Sequence, residues 1–523
     1  MHLLKRRYGC HSRPTTFITG WTIFVLFCIA CYSVVFKSHA SFPLHNKDAA
    51  GSPMKGGSIP NAPGVPIYVM MPLTSVSDDG QLKKDYDGKN ISWILEQWKK
   101  LGVEGLMVDI WFGLVEKEPR QYDWKPYIEL CQLMKSANLK LQTVLSFHRC
   151  GGNVGDRCYI PLPKWIFAVA ENDSDIFFKD RDGSADDEYL SWGIDEEPVL
   201  MGRTAVQVYQ DFFISFRETF REFFGNVISQ VQIGLGPAGE LRYPSYQLNK
   251  WTFCGVGEFQ CFDKYLLGRL QSEADKHGIS EWGHPPYAKD VGFYNSSPSE
   301  TLFFRDDGGM WNTRYGDFFL NWYSNELIQH ADRVLTAATQ VFFDLSNPNN
   351  DFTGQFHLAV KVAGVHWHFR SKAHASELTA GYYNTRYRNG YSPIFRVLKK
   401  HEATVVFTCM EMKDNNQPKD CYCSPEDLVG LIVRSSIANN ISFAGENAVS
   451  FYDVESYRQI SAVSRSYAVT KGKPMEAVTY LRWPEPIDIF FQKDTLSILG
   501  QKFFDFVRSM AYDQAESTDF PGL

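Results

Sequence analysis

At 523 residues, with 44% apolar side chains, the chain has the length of one large domain or two to three ordinary ones and can bury a substantial core. A net charge of -7 leaves no basic footprint, which excludes nucleic acid as an expected partner. The 11 cysteines show neither metal-type pairs nor a disulfide framework, so most are expected to be buried free thiols.

The first predicted element is Phe17–Phe36, a 20-residue uncharged run after Lys5, Arg6, Arg7 and Arg13. Its length suits a transmembrane helix better than the core of a signal peptide, roughly 7–15 residues. Thr19, Gly20, Thr22 and Ser33 weaken it, and a cleaved signal near Ala40 is the alternative. As an anchor it places the amino terminus in the cytosol and the main domain across the membrane. The expected organisation is a basic segment with this span over 1–44 and a Gly/Pro/Ser-rich linker over 45–64. A catalytic domain over 65–512 and a tail over 513–523 follow.

Eight short apolar runs come next: Ile67–Pro72, Gly105–Trp111, Lys140–Phe147, Ser229–Leu235, His357–Ala363, Thr404–Cys409, Ile441–Ala444 and Ala477–Leu481. Helical patterns alternate with them at Ser92–Leu101, Trp124–Ala137, Val206–Phe224, Asp317–Thr336, Tyr391–His401, Pro425–Ile437 and Leu496–Ser509. Eight strands alternating with helices predict an α/β fold, a closed (β/α)8 barrel. The long segments Gly151–Thr204 and Tyr243–Gly316 predict a lobe of loops over one barrel end.

Active-site groups in such a barrel stand at the carboxyl ends of strands. In Gly234-Leu235-Gly236-Pro237-Ala238-Gly239-Glu240, a strand ends in small residues and delivers one glutamate, either a general acid or the ion-pair partner of Arg242. Other strand ends offer Asp109, His148, Lys361 with His366 and Trp367 just beyond, Thr408 with Glu411, Glu446 with Asn447, and Arg482. Singly, each has a structural reading: His148 as a core histidine, Lys361 as a snorkelling edge residue. Recurrence at seven of eight strand ends suits a pocket for a hydroxyl-rich ligand. Two glutamates from different strands suit glycoside hydrolysis, with one carboxyl donating a proton and one carboxylate activating water or attacking carbon. The glycine-rich Cys150–Asp156 reads either as a mobile lid ending in Asp156 or as a turn with a capping aspartate.

Taken together, GVEGLMVDIWFG (102–113), SFHRCGGNVGD (146–156), GLGPAGELRYPSY (234–246), GEFQCFDKYL (257–266), ELTAGYYN (377–384), FTCMEM (407–412) and AGENA (444–448) resemble the β-amylase family of plants and some microbes, from about Val65 to Ala511. The resemblance implies a (β/α)8 barrel that releases β-maltose, with inversion, from non-reducing ends of α-1,4-glucans. It implies Glu240 as general acid and Glu446 as general base, with Glu411 supporting them from the inner loop 407–412. It further implies Asp109, His148, Asp156, Lys361, His366, Thr408, Asn447, Ala448 and Arg482 as substrate contacts, and residues 151–156 as a mobile lid. The expected partner is the glucan alone, with no metal or organic cofactor and a monomer favoured. Phe112, His368 and Ser450-Phe451 depart from the family pattern, and a shift in subsite affinity is expected from them. No room is expected for a separate starch-binding domain. The alternative is a catalytically silent glucan-binding or regulatory protein on the same fold. The compartment expected from 17–36 is membrane-anchored or secretory, with a plastid as the family-based alternative.

Overall fold

The computed structural model describes residues 64–343, 355–492 and 495–511. Eight parallel strands close into a barrel: β1 (Ile67–Met70), β2 (Gly105–Trp111), β3 (Lys140–Ser146), β4 (Ile228–Ile233), β5 (His357–Val362), β6 (Thr404–Phe407), β7 (Phe443–Glu446) and β8 (Val478–Tyr480). Each pairs with its sequence neighbours, and β1 closes the ring by pairing Ile67 with Val478 and Tyr68 with Gly105. All eight predicted strands are present, although β7 runs two residues later than its apolar stretch indicates and so takes in Glu446.

Eight helices surround the strands: α1 (Ile91–Lys100), α2 (Lys125–Ser136), α3 (Ala205–Phe220), α4 (Arg314–Phe342), α5 (Tyr391–Lys400), α6 (Pro425–Ala438), α7 (Val454–Lys471) and α8 (Ile498–Ala511). Apolar periodicity explains most of them. In α3, Phe212, Phe213, Phe216 and Phe220 all face inward, and a Thr204–Gln207 capping box sets the first turn. α7 is absent from the sequence expectation because its buried face, Tyr457, Ile460, Ser461, Ser464 and Tyr467, is half polar.

Two insertions leave the carboxyl ends of β3 and β4, as expected of the lobe. The first carries a two-stranded sheet, Phe177–Lys179 against Ala185–Leu190, and the second a helix, Lys264–Lys276, capped by Asp263.

The cysteine expectation needs correction. Cys150 pairs with Cys158 and Cys254 with Cys421, leaving Cys131, Cys261, Cys409 and Cys423 as buried thiols. Spacing conceals the second pair because its members are 167 residues apart and meet only where the loops after β4 and β6 converge.

The expected transmembrane helix is likewise corrected. No helix among the described residues is long and apolar enough to cross a membrane. The longest, the 29-residue α4, carries Arg314, Asp317, Asp332 and Arg333 and buries one face only. Residues 17–36 themselves, like the linker and the tail, lie outside the described residues.

Candidate active site

The barrel strands end in one pocket of about 390 Å³. Asp109, His148, Glu240, Lys361, Thr408, Glu446 and Arg482 line it together with Asp156, His366 and Ala448, so ten of the eleven sequence-predicted site residues share one pocket. Asn447 is the exception. Its side chain accepts from Leu481 N at 2.7 Å and donates to the carbonyls of Leu481 and Val449, so it fixes the backbone on either side of the β8 end.

The loop Gly234–Glu240 folds as it does because its glycines permit it. A Cβ on Gly236 would lie 2.5 Å from the Glu240 carbonyl, and Gly239 takes φ +72°. Leu241 N then bonds to the carbonyl of Lys361 at 2.9 Å, which stitches this loop to the end of β5.

Glu240 accepts from Arg242 Nε at 2.7 Å, so the ion-pair reading of it is met, and the same carboxyl lines the pocket. Buried Arg242 also donates from Nη2 to Asn153 Oδ1 at 2.8 Å. Asn153 in turn donates to Glu188 Oε1 at 2.6 Å, and Ala238 N meets the same oxygen at 2.9 Å. Loop 151–156 is thereby wired to the Glu240 carboxyl through two side chains. Asp156 turns back into its own loop, accepting from Gly151 N and Asn153 N at 3.1 and 3.2 Å. The Cys150–Cys158 disulfide ties the base of that loop.

Across the pocket Glu446 is fully buried, and Lys361 Nζ lies 2.8 Å from its Oε2. Burial pushes the Glu446 carboxyl above its ordinary value, and the Lys361 ammonium pulls it back. Burial disfavours the charge on Lys361, but Glu446, Asp109 and Glu240 outweigh it and leave the ammonium above its ordinary value. Asp109 accepts from Ser146 Oγ at 2.8 Å, and burial raises it too, against Lys361 and Arg482. His148 packs edge-on to Trp111 with ring centroids 5.1 Å apart. Burial, with Lys361, Arg242 and Arg149 nearby, lowers His148 to about 3, and burial lowers His366 to about 4. Both rings are neutral hydrogen-bonding groups near pH 7.

Glu411 accepts from Ala448 N at 2.9 and 3.0 Å and from Val449 N at 3.0 Å. It therefore holds the chain just after Glu446 and does not line the pocket.

Sequence reasoning pointed to Trp367 but missed the aromatic side chains that gather around it. Tyr246, Trp251 and Phe253 from the second insertion gather around Trp367 with centroids 4.8, 5.4 and 5.7 Å from its ring. Trp251 and Trp367 both donate to the carbonyl of Gly255, at 2.9 and 3.0 Å. The only sequence signal is the density of aromatic residues in a loop, which does not reveal where that loop folds. The departures at Phe112 and His368 lie behind the pocket. Phe112 packs on Phe147, Trp165 and Phe212, and His368 bonds Ser376 Oγ at 2.8 Å.

Residues 68–510 match the profile of Glycosyl hydrolase family 14. The chain is 45% identical over 464 residues to "Beta-amylase 1, chloroplastic" of Arabidopsis thaliana, covering 87% of this chain and 77% of that one. It is 45% identical over 451 residues to "Beta-amylase 1, chloroplastic" of Oryza sativa subsp. japonica, covering 86% and 81%. It is 44% identical over 457 residues to "Beta-amylase" of Vigna unguiculata, covering 86% and 88%. Among solved structures, the catalytic domain of β-amylase from Paenibacillus polymyxa superposes with a TM-score of 0.68 at 28% identity, covering 86% of this chain and 100% of that one.

Proposed function

The chain belongs to glycosyl hydrolase family 14, and from that premise we propose that Glu240 is its general acid and Glu446 its general base. The protein is a β-amylase, a maltose-releasing glycoside hydrolase acting on α-1,4-glucans. The observation that carries the assignment is a pair of carboxyl groups from two strand ends, in one pocket, each held by its own cation.

A glucan enters by its non-reducing end beneath loop 151–156. Glu240 delivers a proton to the departing glycosidic oxygen, and Glu446 takes one from a water on the opposite face of the sugar. Lys361 makes an ionised Glu446 tenable in a site that otherwise disfavours the charge. Asp109, neutral His148 and His366, Thr408 and Arg482 hold sugar hydroxyls, and Trp367 with its aromatic neighbours offers faces to the rings. Loop 151–156 excludes bulk water, which strengthens each polar contact.

The test is the anomer released from a maltooligosaccharide, followed by NMR. β-Maltose supports this mechanism. α-Maltose replaces it with retention, and no turnover returns the chain to a glucan-binding role. A plastid is the compartment we assign, supported by the Arabidopsis and rice relatives being named chloroplastic. A full-length fluorescent fusion found only outside plastids removes that assignment.

A further inference from the structure

A second cleft, of about 620 Å³, opens between α6 and the turn Thr385–Asn389, and it shares no residue with the glycosidic pocket. Four arginines line it: Arg370, Arg386, Arg388 and Arg434. Asp427 is the one carboxylate on its wall among the described residues, and it is engaged by Ser424 Oγ at 2.7 Å. Arg370 is neutralised by Asp414 at 2.6 Å. Among the described residues Arg388 has only neutral partners, Asn321 Oδ1 at 3.1 Å and the face of Tyr383 at 4.2 Å. Among the described residues neither the Arg386 nor the Arg434 side chain has a hydrogen bond or an ion pair. Three guanidiniums thus face one carboxylate, on a chain whose net charge is -7.

Exposed arginines are ordinarily just solvated. These differ in being held on two separate elements that converge on one concave wall. The turn is fixed before any ligand arrives. Thr385 and Arg388 exchange backbone bonds at 3.0 and 3.1 Å, and Arg386 N bonds to the carbonyl of Lys372 at 3.0 Å. At its tip Tyr387 is 70% exposed, and its ring lies within 11° of parallel to that of Trp311. Converging like charges repel, and guanidinium forks brought to one wall by a fixed turn and a helix are relieved by an oxyanion that accepts from more than one of them.

We propose that this cleft binds a phosphate monoester carried on a sugar. The phosphate sits between Arg386 and Arg434 with Arg388 beside it, and the sugar ring lies against Tyr387. A dianion matches the excess of two positive charges left after Asp427 is counted against Arg386, Arg388 and Arg434. A neutral glucan offers hydroxyl acceptors but leaves the charge of the three guanidiniums uncompensated. The site is independent of the glycosidic reaction.

Calorimetric titration of the full-length protein with glucose 6-phosphate, inorganic phosphate and glucose tests the proposal. Both phosphate compounds are expected to bind, more weakly as salt rises, with glucose 6-phosphate the tighter. The double variant Arg386→Gln/Arg434→Gln is expected to weaken both by roughly tenfold or more. Tyr387→Ala is expected to reduce glucose 6-phosphate to the affinity of inorganic phosphate. Hydrolysis of a maltooligosaccharide, measured in parallel, should be unchanged in every variant, so failure of this site and failure of the glycosidase reading remain separate results. Absence of phosphate binding, binding indifferent to the double variant, or equal affinity for phosphate and glucose 6-phosphate each overturns the proposal. Each single arginine variant, with its melting temperature, controls for loss of fold.

Discussion

At the scale of single residues the proposed chemistry turns on two ion pairs, Lys361–Glu446 and Arg242–Glu240. Replacing either glutamate by glutamine removes its proposed proton transfer and keeps the shape. Glu240→Gln and Glu446→Gln are each expected to lower kcat by about 10²–10⁴-fold with little change in melting temperature. Full activity in either variant would remove that residue from its role. Lys361→Gln acts differently. Without the ammonium, burial drives the Glu446 carboxyl further up, so the ionised base is lost at a higher pH. The acid limb of the kcat/KM profile should therefore move toward neutrality, with a larger loss at pH 5 than at pH 7. An unshifted limb refutes the coupling. His148 gives a stability prediction. Below its ordinary value of 6.5 the unfolded chain takes up a proton that the folded ring, lowered to about 3, refuses. The fold thus loses roughly 1.4 kcal/mol per pH unit from this group as pH falls through that window. His148→Asn should flatten that part of a denaturation series run between pH 6.5 and 4. Glu240 was legible from its glycine-punctuated strand end. Its link to the loop through Arg242 and Asn153 was not, because Asn153 lies 89 residues from Arg242 and meets it only in the fold.

At the scale of elements, loop 151–156 is held by short contacts that a lid must remake whenever it moves. Asn153→Ala removes the bonds to Glu188 and Arg242. It is expected to raise KM several-fold with little change in melting temperature, measured by steady-state kinetics beside calorimetry. A change in stability alone would make Asn153 structural only. Thr204→Ala breaks the capping box of α3 and should cost about 1 kcal/mol, read from urea unfolding. Strands and most helices were legible because each buries one periodic apolar face. α7 was not, since four of its five buried side chains are hydroxyl-bearing serine or tyrosine at positions where an apolar stripe is looked for, and only Ile460 is aliphatic. The Glu411 clamp on Ala448 and Val449 was legible only as a supporting role implied by resemblance.

At the scale of the whole molecule, the barrel is closed by its two ends. β1 pairs with both β2 and β8, and Val65 N bonds to the carbonyl of Met510 at 2.8 Å. We propose that residues 65–512 form the catalytic domain. Removing 1–63 is expected to leave turnover and melting temperature intact, whereas removal through Met70 opens the ring and should abolish folding, as seen by circular dichroism. By itself the sequence determined the alternation of strands and helices, the two carboxyl-bearing strand ends and the family, since these depend on local periodicity and on motifs contiguous in the chain. Tertiary structure alone decided which cysteines pair, which loop supplies the aromatic wall, that Asn447 braces the backbone outside the pocket, and that Glu240 shares Arg242 with the loop above it. Apart from the Cys150–Cys158 pair, eight residues apart, each of these is a contact between residues far apart in the chain, set by how the barrel closes and where its long loops land.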